Sequence, residues 1–385
     1  MLLFGDVAYS GLRRAVSGRA FLLCAGIAAA ALSAGAARAE TKSYVISYFY
    51  DANYSDGKTD CGDGLNLSAI DFYRRDLARA GHSHEEIEAA LKDFPGEGGL
   101  KQPWVPLVNT RGNGKDNVYI HPTTEPDPGL KEVTGKYAYG FNLDGKGAAS
   151  PNSFEEPDTH EQGVDNQMYR VFGCIRSYRG LPPPGRPSLP ENLWDVLRDV
   201  IPAWLVTIDA PNGIGKDGPA TVTFDRSLER ITRDASGQAA QADMTYRVDP
   251  DPRSHNVLKG QIKDGVVSID PATLRMILDP YLMPQLLMID THLRMTTNPD
   301  GTARIMIGGY QDWRTIYYSM ANEGHIKEYA ASIDVPAVYY ALKRAADHDP
   351  DPATGENRQI SSAYIMEAAP AFVVPSGADK TARAQ

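Results

Sequence analysis

The stretch LLMIDTHLRMTTNPDGTARIMIGGY, Leu286–Tyr310, constrains this chain more than any other. Its two flanks are long, apolar and rich in β-branched residues. Asn298-Pro299-Asp300-Gly301 between them supplies turn chemistry, with proline and glycine where a β-turn accepts them. Two long antiparallel strands are therefore expected, and a chain that carries them must build a sheet large enough to cover them. TVTF from Thr221, MTYRV from Met244, GQIKDGVVSI from Gly260 and SSAYIMEAAPAFVV from Ser361 also read as strands. SYVISYFY, Ser43–Tyr50, is an earlier one.

Helices are predicted around this sheet. Ser68 with Asp71 opens AIDFYRRDLARA, which stops at Gly81, and Ser83 with Glu86 forms a capping box before Ile87 and Leu91. The pair reads as a helical hairpin packed on the sheet. Asp165 is the expected cap of a helix over 166–178, with Met168, Val171, Phe172 and Ile175 on one side. Gly308-Gly309 reads as the break between strand and helix, and two helices follow over 312–347, the second capped by Asp334 with Pro336 in its first turn. The predicted fold class is α+β: antiparallel β-sheets, sandwich-like in the second lobe, with packed helices.

The predicted organisation starts with a cleaved signal peptide over 1–39. Arg13, Arg14 and Arg19 precede the apolar run AFLLCAGIAAAALSAGA, and Ala37-Arg38-Ala39 supplies small residues for cleavage before Glu40. An N-terminal lobe with the helical hairpin and long loops covers 40–180. The proline-rich linker LPPPGRPSLP covers 181–190, a β-rich C-terminal lobe 191–375 and a disordered tail 376–385. The expected location is the periplasm or the extracellular space, without a stable membrane anchor. Cleavage removes four Arg and one Asp, taking the formal net charge from −10 to −13. No basic run remains, so a nucleic-acid partner is excluded. Cys61 and Cys174 are the cysteines left in the mature chain, and an even pair in an exported protein predicts a disulfide.

That bond would draw two polar segments together. One is DANYSDGKTDCGDGLN, with Asp56, Asp60 and Asp63 as candidate metal ligands and Asn66 beside them. The other is EEPDTHEQGVDN, with Asp158, His160, Asp165 and Asn166 as a candidate ligand-binding set. Hard oxygen donors suit calcium. The EF-hand pattern fails, because Asp56 stands in place of the glycine and Gly62 in place of the bidentate glutamate. Zinc or iron at His160 would need a further histidine, and HExxH is absent. Asp347, Asp349 and Asp351 also alternate like the start of a calcium loop, but Pro352 displaces the required glycine and an exposed turn is the plainer reading. Asp312 with Trp313 would suit a sugar, but a strand-to-helix turn at Gly308-Gly309 with Trp313 in the core is the plainer reading. No GxSxG, SxxK, P-loop or GxGxxG occurs. The expectation is an exported, non-enzymatic binding or accessory module, stabilised by calcium, for a small ligand or a protein. The alternative is a periplasmic hydrolase that uses carboxylates or a bound metal.

Overall fold

The computed structural model describes residues 39–57, 59–92, 117–150, 153–179, 186, 200–237, 239–279, 283–322 and 324–376. The predicted signal peptide, all of the linker but Arg186, and the tail beyond Ser376 lie outside the described residues. In chain order, β1 (Glu40–Asp51) leads to helices α1 (Ala69–Arg79) and α2 (His84–Leu91). The small hairpin β2 (Phe154–Glu155) and β3 (Gln162–Val164) and the short helix α3 (Gln167–Phe172) follow. Then come β4 (Trp204–Ala210), β5 (Gly218–Arg226), β6 (Met244–Arg247), β7 (His255–Lys263), β8 (Val266–Ile269) and β9 (Ala272–Asp279). β10 (Met283–Thr297) and β11 (Ala303–Asp312) precede α4 (Trp313–Ala321), α5 (Gly324–Ala331) and α6 (Val335–Ala345). β12 (His348–Pro350) and β13 (Asn357–Val374) end the order.

Eight of these strands close into an antiparallel barrel, in the order β1, β4, β5, β7, β8, β10, β11, β13 and back to β1. The sandwich-like α+β expectation is therefore wrong. Sandwich and barrel strands share the same in-out alternation, so the pattern alone does not separate them. Closure is made by β1 against β13, with Val45 opposite Ala369 and Phe49 opposite Met366. That pairing joins the two ends of the chain, and nothing local announces it. The barrel is a meander whose neighbours follow one another in sequence, with the long excursions inserted between β1 and β4 and between β11 and β13.

The inner face of the barrel is packed. Tyr44, Val206, Val222, Phe224, Leu258, Ile262, Val267, Met295, Ile307 and Tyr364 are buried in one hydrophobic cluster. These inward side chains form a hydrophobic core within the barrel. Outward positions on β7 are Val257, Lys259, Gln261 and Lys263, all exposed, and on β5 they are the half-buried Thr221 and Thr223. Apart from Val257 these outward positions are polar, unlike the apolar lipid-facing band of a membrane barrel. Among the described residues β9 pairs with β10 alone. Its other edge is blunted by Asn256, which bonds both the N–H and the C=O of Arg275 at 2.9 Å, and by Trp204 Nε1 on the Ile277 carbonyl at 3.0 Å. Side chains there stand in for a neighbouring strand and leave less backbone to template aggregation.

The predicted hairpin of long strands is present, with Thr297 opposite Ala303. Gly308-Gly309 is not a break. β11 runs through both to Asp312, in register with Ala363 and Ser362 of β13. The glycines are there for space: a Cβ on Gly308 would lie 2.6 Å from the Phe141 ring, and one on Gly309 2.6 Å from the Ile289 carbonyl. The irregularity falls instead on β10, between Ile289 and His292, where Asp290 has φ 46°.

The helical hairpin has both predicted capping boxes. It does not pack on the sheet. Phe72, Tyr73, Leu77, Ile87 and Leu91 form a separate small core with Tyr329 of α5, and the Tyr73 and Tyr329 rings stack at 4.2 Å. The helix predicted over 166–178 ends at Phe172, and a 3-10 turn over Arg176–Tyr178 follows. Its cap is Asn166 rather than Asp165, because the Asp165 carboxylate is occupied elsewhere. Two helices expected over 312–347 are three, and the last opens as predicted, with Asp334 accepting from Ala337 N.

Candidate functional site

The disulfide brings the first polar segment to the end of α3. Cys61 and Cys174 are bonded, with Cα atoms 5.7 Å apart across 113 positions of sequence. Asn66 secures the same junction: its backbone N–H donates to the Cys174 carbonyl at 2.9 Å, and its side chain bonds both backbone groups of Lys131. The three candidate metal ligands do not converge. Asp60 is 2% exposed and pairs with Arg179, which also donates to the Gly173 carbonyl at 2.8 Å. A guanidinium thus occupies the place an ion would take. Asp56 closes a turn by accepting from Thr59 N at 2.8 Å, and Asp63 is exposed. Among the described residues no group of three or more His, Cys, Asp or Glu is placed to hold a metal. The calcium expectation has no support in this geometry.

The second segment divides in two. Asp158 and His160 lie on an exposed turn organised by Glu156, whose carboxylate accepts from Asp158 N at 2.8 Å and Thr159 N at 2.6 Å. His160 has φ 59°, and its Nδ1 lies 2.9 Å from Glu155 Oε1. Asp165 and Asn166 are buried a few residues on. The Asn166 side chain accepts from Tyr169 N at 3.1 Å and donates to the Tyr139 carbonyl at 2.8 Å and the Ala52 carbonyl at 3.4 Å. It ties the inserted loops to β1 and is fully engaged in doing so. Asp165 accepts from Leu143 N at 2.9 Å, Asp144 N at 3.2 Å and Ser150 Oγ at 3.4 Å. Burial still raises its carboxyl above the usual range.

Asp347, read from sequence as part of an exposed turn, belongs with Asp165. Its carboxylate accepts from Ser361 N at 2.8 Å and Ser361 Oγ at 2.7 Å, and that hydroxyl in turn accepts from Gln167 N at 2.9 Å, next to Asn166. Desolvation, with a smaller repulsion from Asp165, pushes Asp347 up to about 6. Tyr310, stacked on the His348 imidazole at 4.0 Å, has its hydroxyl raised by burial and by Asp165, Asp347, Asp144 and Asp290. The other aspartates of that turn do local work: Asp349 pairs with Arg358 at 2.8 Å, and Asp351 accepts from Ala353 N at 2.8 Å. Asp312 is exposed and caps α4, and Trp313 is buried in the core with Nε1 on the Asn357 carbonyl at 3.2 Å.

Sequence reasoning missed a cavity of about 310 Å³ between α1, the start of α6 and the segment Pro128–Lys131. Asn66, Leu67, Phe72, Arg75, Arg79, Pro128, Gly129, Lys131 and Asp334 line it. Arg75 and Arg79 sit four apart on α1 and so share a face. The Arg75 guanidinium lies 4.8 Å over the Phe72 ring. Its Nε donates to Asp76 at 3.0 Å and its Nη1 to Asp334, whereas its Nη2 is sealed from solvent without an acceptor. Lys131 Nζ reaches the Leu65 carbonyl at 3.1 Å. A larger hollow of about 510 Å³ beside Tyr339 and Tyr340 lacks this feature. There Lys343 pairs with Glu356, and Arg344 with Asp127 and Glu132. The spacing of Arg75 and Arg79 was the one sequence signal available, and it is common on solvated helices.

The fold and this lateral cavity define a filled eight-stranded meander barrel carrying a helical insertion with a cation-lined wall. Comparison with protein-family models, with curated proteins and with solved structures finds no match for this chain.

Proposed function

We propose that this chain is an exported binding module that holds a small ligand beside the barrel, in the cavity bounded by α1, α6 and Pro128–Lys131. The cavity wall carries this reading: beside the Arg75 guanidinium, Arg79 approaches Asp76 only at 3.8 Å and Lys131 Nζ donates to the Leu65 carbonyl at 3.1 Å, so both keep N–H donors for a ligand oxygen. The neighbouring groups are held in advance. Asp76 and Asp334 fix two of the guanidinium nitrogens, so little side-chain freedom remains to be lost on binding. Export rests on the Arg-flanked apolar run and the Ala37-Arg38-Ala39 site.

Native mass spectrometry of the protein recovered from the medium or periplasm tests both parts. The expected species begins at Glu40 and carries a small molecule that leaves on denaturation. A chain beginning at Met1, or a mass equal to the bare polypeptide together with no ligand-induced stabilisation, would count against the reading.

A second reading, a hydrolase using carboxylates, is favoured by one observation. Burial raises the carboxyls of both Asp165 and Asp347, and both act on Tyr310; carboxyls raised in this way are the ones suited to act as general acids. Hydrolysis of glycoside or ester substrates that is abolished in Asp347→Asn would establish it.

A further inference from the structure

We infer that the ligand of this cavity is a small organic oxyanion, with carboxylate or phosphate oxygens toward Arg75, Arg79 and Lys131 and an apolar body against Leu67 and Pro128. The inference rests on the binding-module reading above and names its ligand class.

The wall is the first argument. Three of its side chains are cationic and one, Asp334, is anionic, in a chain whose formal net charge is −10. Asp76 and Glu328 lie behind it, and both are engaged: Asp76 accepts from Tyr329 Oη, and Glu328 from Tyr119 Oη at 2.8 Å. Asp334 is engaged as well, with Arg75 and with the first turn of α6. Arg79 makes only a long approach to Asp76 at 3.8 Å, and Lys131 Nζ has donors to spare after the Leu65 carbonyl. The wall groups that keep donors for a ligand, Arg79 and Lys131, are both cationic, and cations gathered on a concave wall attract anions from solution.

Shape is the second argument. Leu67 is 41% exposed, Phe72 forms the floor under the guanidinium, and Pro128 and Gly129 close one side with little polar surface. Inorganic ions would leave these faces unused. At about 310 Å³ the space takes a small organic molecule and not an inorganic ion alone. Arginine forks suit planar carboxylates and phosphates, and the fork left open here is that of Arg79, since Asp76 and Asp334 take the edge of the stacked Arg75.

The test uses the exported protein and the double variant Arg79→Gln/Lys131→Gln, which spares Arg75 and its structural partners. Sodium benzoate, sodium phosphate, neutral benzamide and benzylamine are titrated at constant ionic strength, with binding read by calorimetry and by melting temperature. Benzoate is expected to bind the wild type and to bind the double variant at least tenfold more weakly. Arg79→Lys/Lys131→Arg, which keeps both charges, should retain most of the affinity. Phosphate binding with the same dependence on the cations would assign the site to phosphate oxygens, within the proposed class. Benzamide or benzylamine binding as tightly as benzoate, equally in both proteins, overturns the oxyanion inference and leaves the binding-module reading standing. If none of the four stabilises the wild type above the double variant, both fall.

Discussion

At the scale of single residues, the polar side chains of this chain divide by what they touch. Asn166 is 1% exposed and engages three backbone groups from three segments, whereas Asp158, eight positions earlier, sits on an exposed turn. Asn166→Ala leaves buried backbone acceptors without donors and removes a helix cap, so it should cost about 2–3 kcal/mol in denaturant unfolding. Asp158→Ala should stay within about 0.5 kcal/mol. The buried carboxyls make a separate prediction about pH. Asp347 is raised to about 6 and Asp51, at the barrel end of β1, to about 7, both chiefly by desolvation. A carboxyl with a folded-state value above its unfolded value near 3.9 binds more protons folded than unfolded between those values. Its favourable contribution is present at low pH and is lost as pH rises through the folded value. Melting temperature should therefore drop from pH 4 to pH 7, and Asp347→Asn should make that drop shallower. An unchanged slope in the variant would show that Asp347 does not hold a proton in the folded protein. Both residues were written in the sequence, but neither their burial nor their neighbours were.

At the scale of elements, packing decided more than propensity did. Capping boxes at Ser68 and Ser83 identified α1 and α2 with their starts, because a cap is a local hydrogen bond between residues three apart. Where the hairpin docks was not local, and it settled against Tyr329 of α5 rather than on the sheet. Gly308 illustrates the same limit. In sequence a Gly-Gly pair reads as a break, yet here it keeps β11 continuous and admits the Phe141 ring of an inserted loop onto the barrel wall. Gly308→Ala puts a methyl group 2.6 Å from that ring and 3.4 Å from the Ser362 carbonyl. We expect a loss of about 1–3 kcal/mol in denaturant unfolding, since a close-packed contact has no slack. Pairing it with Phe141→Ala should recover part of the loss, which a double-mutant cycle measures.

At the scale of the whole molecule, two long-range connections hold the architecture: the β1–β13 pairing that closes the barrel and the Cys61–Cys174 bond that fastens the insertion. Opening the disulfide releases a loop of 113 positions, which the chain-entropy account values at no more than about 4–5 kcal/mol. The unfolding midpoint in denaturant should fall on adding reductant, and Cys61→Ser/Cys174→Ser should reproduce that midpoint without reductant. By itself the sequence determined most of the barrel strands but not β9 or the β2–β3 hairpin, most helix starts, the turn at Asn298–Gly301 and the disulfide partners, because periodicity, caps, turn residues and an even cysteine pair are all readable along the chain. Tertiary structure alone decided that the sheet is a barrel, since in-out alternation is the same for a wall that closes and one that stacks. It also decided that Asp60 faces the Arg179 guanidinium and not a metal ion, and that Asp165 shares its surroundings with Asp347, 182 positions away in sequence. The cavity at Arg75 belongs to the same class. Its walls come from α1, Pro128–Lys131 and Asp334, and a site assembled from three distant segments exists only once the chain has folded.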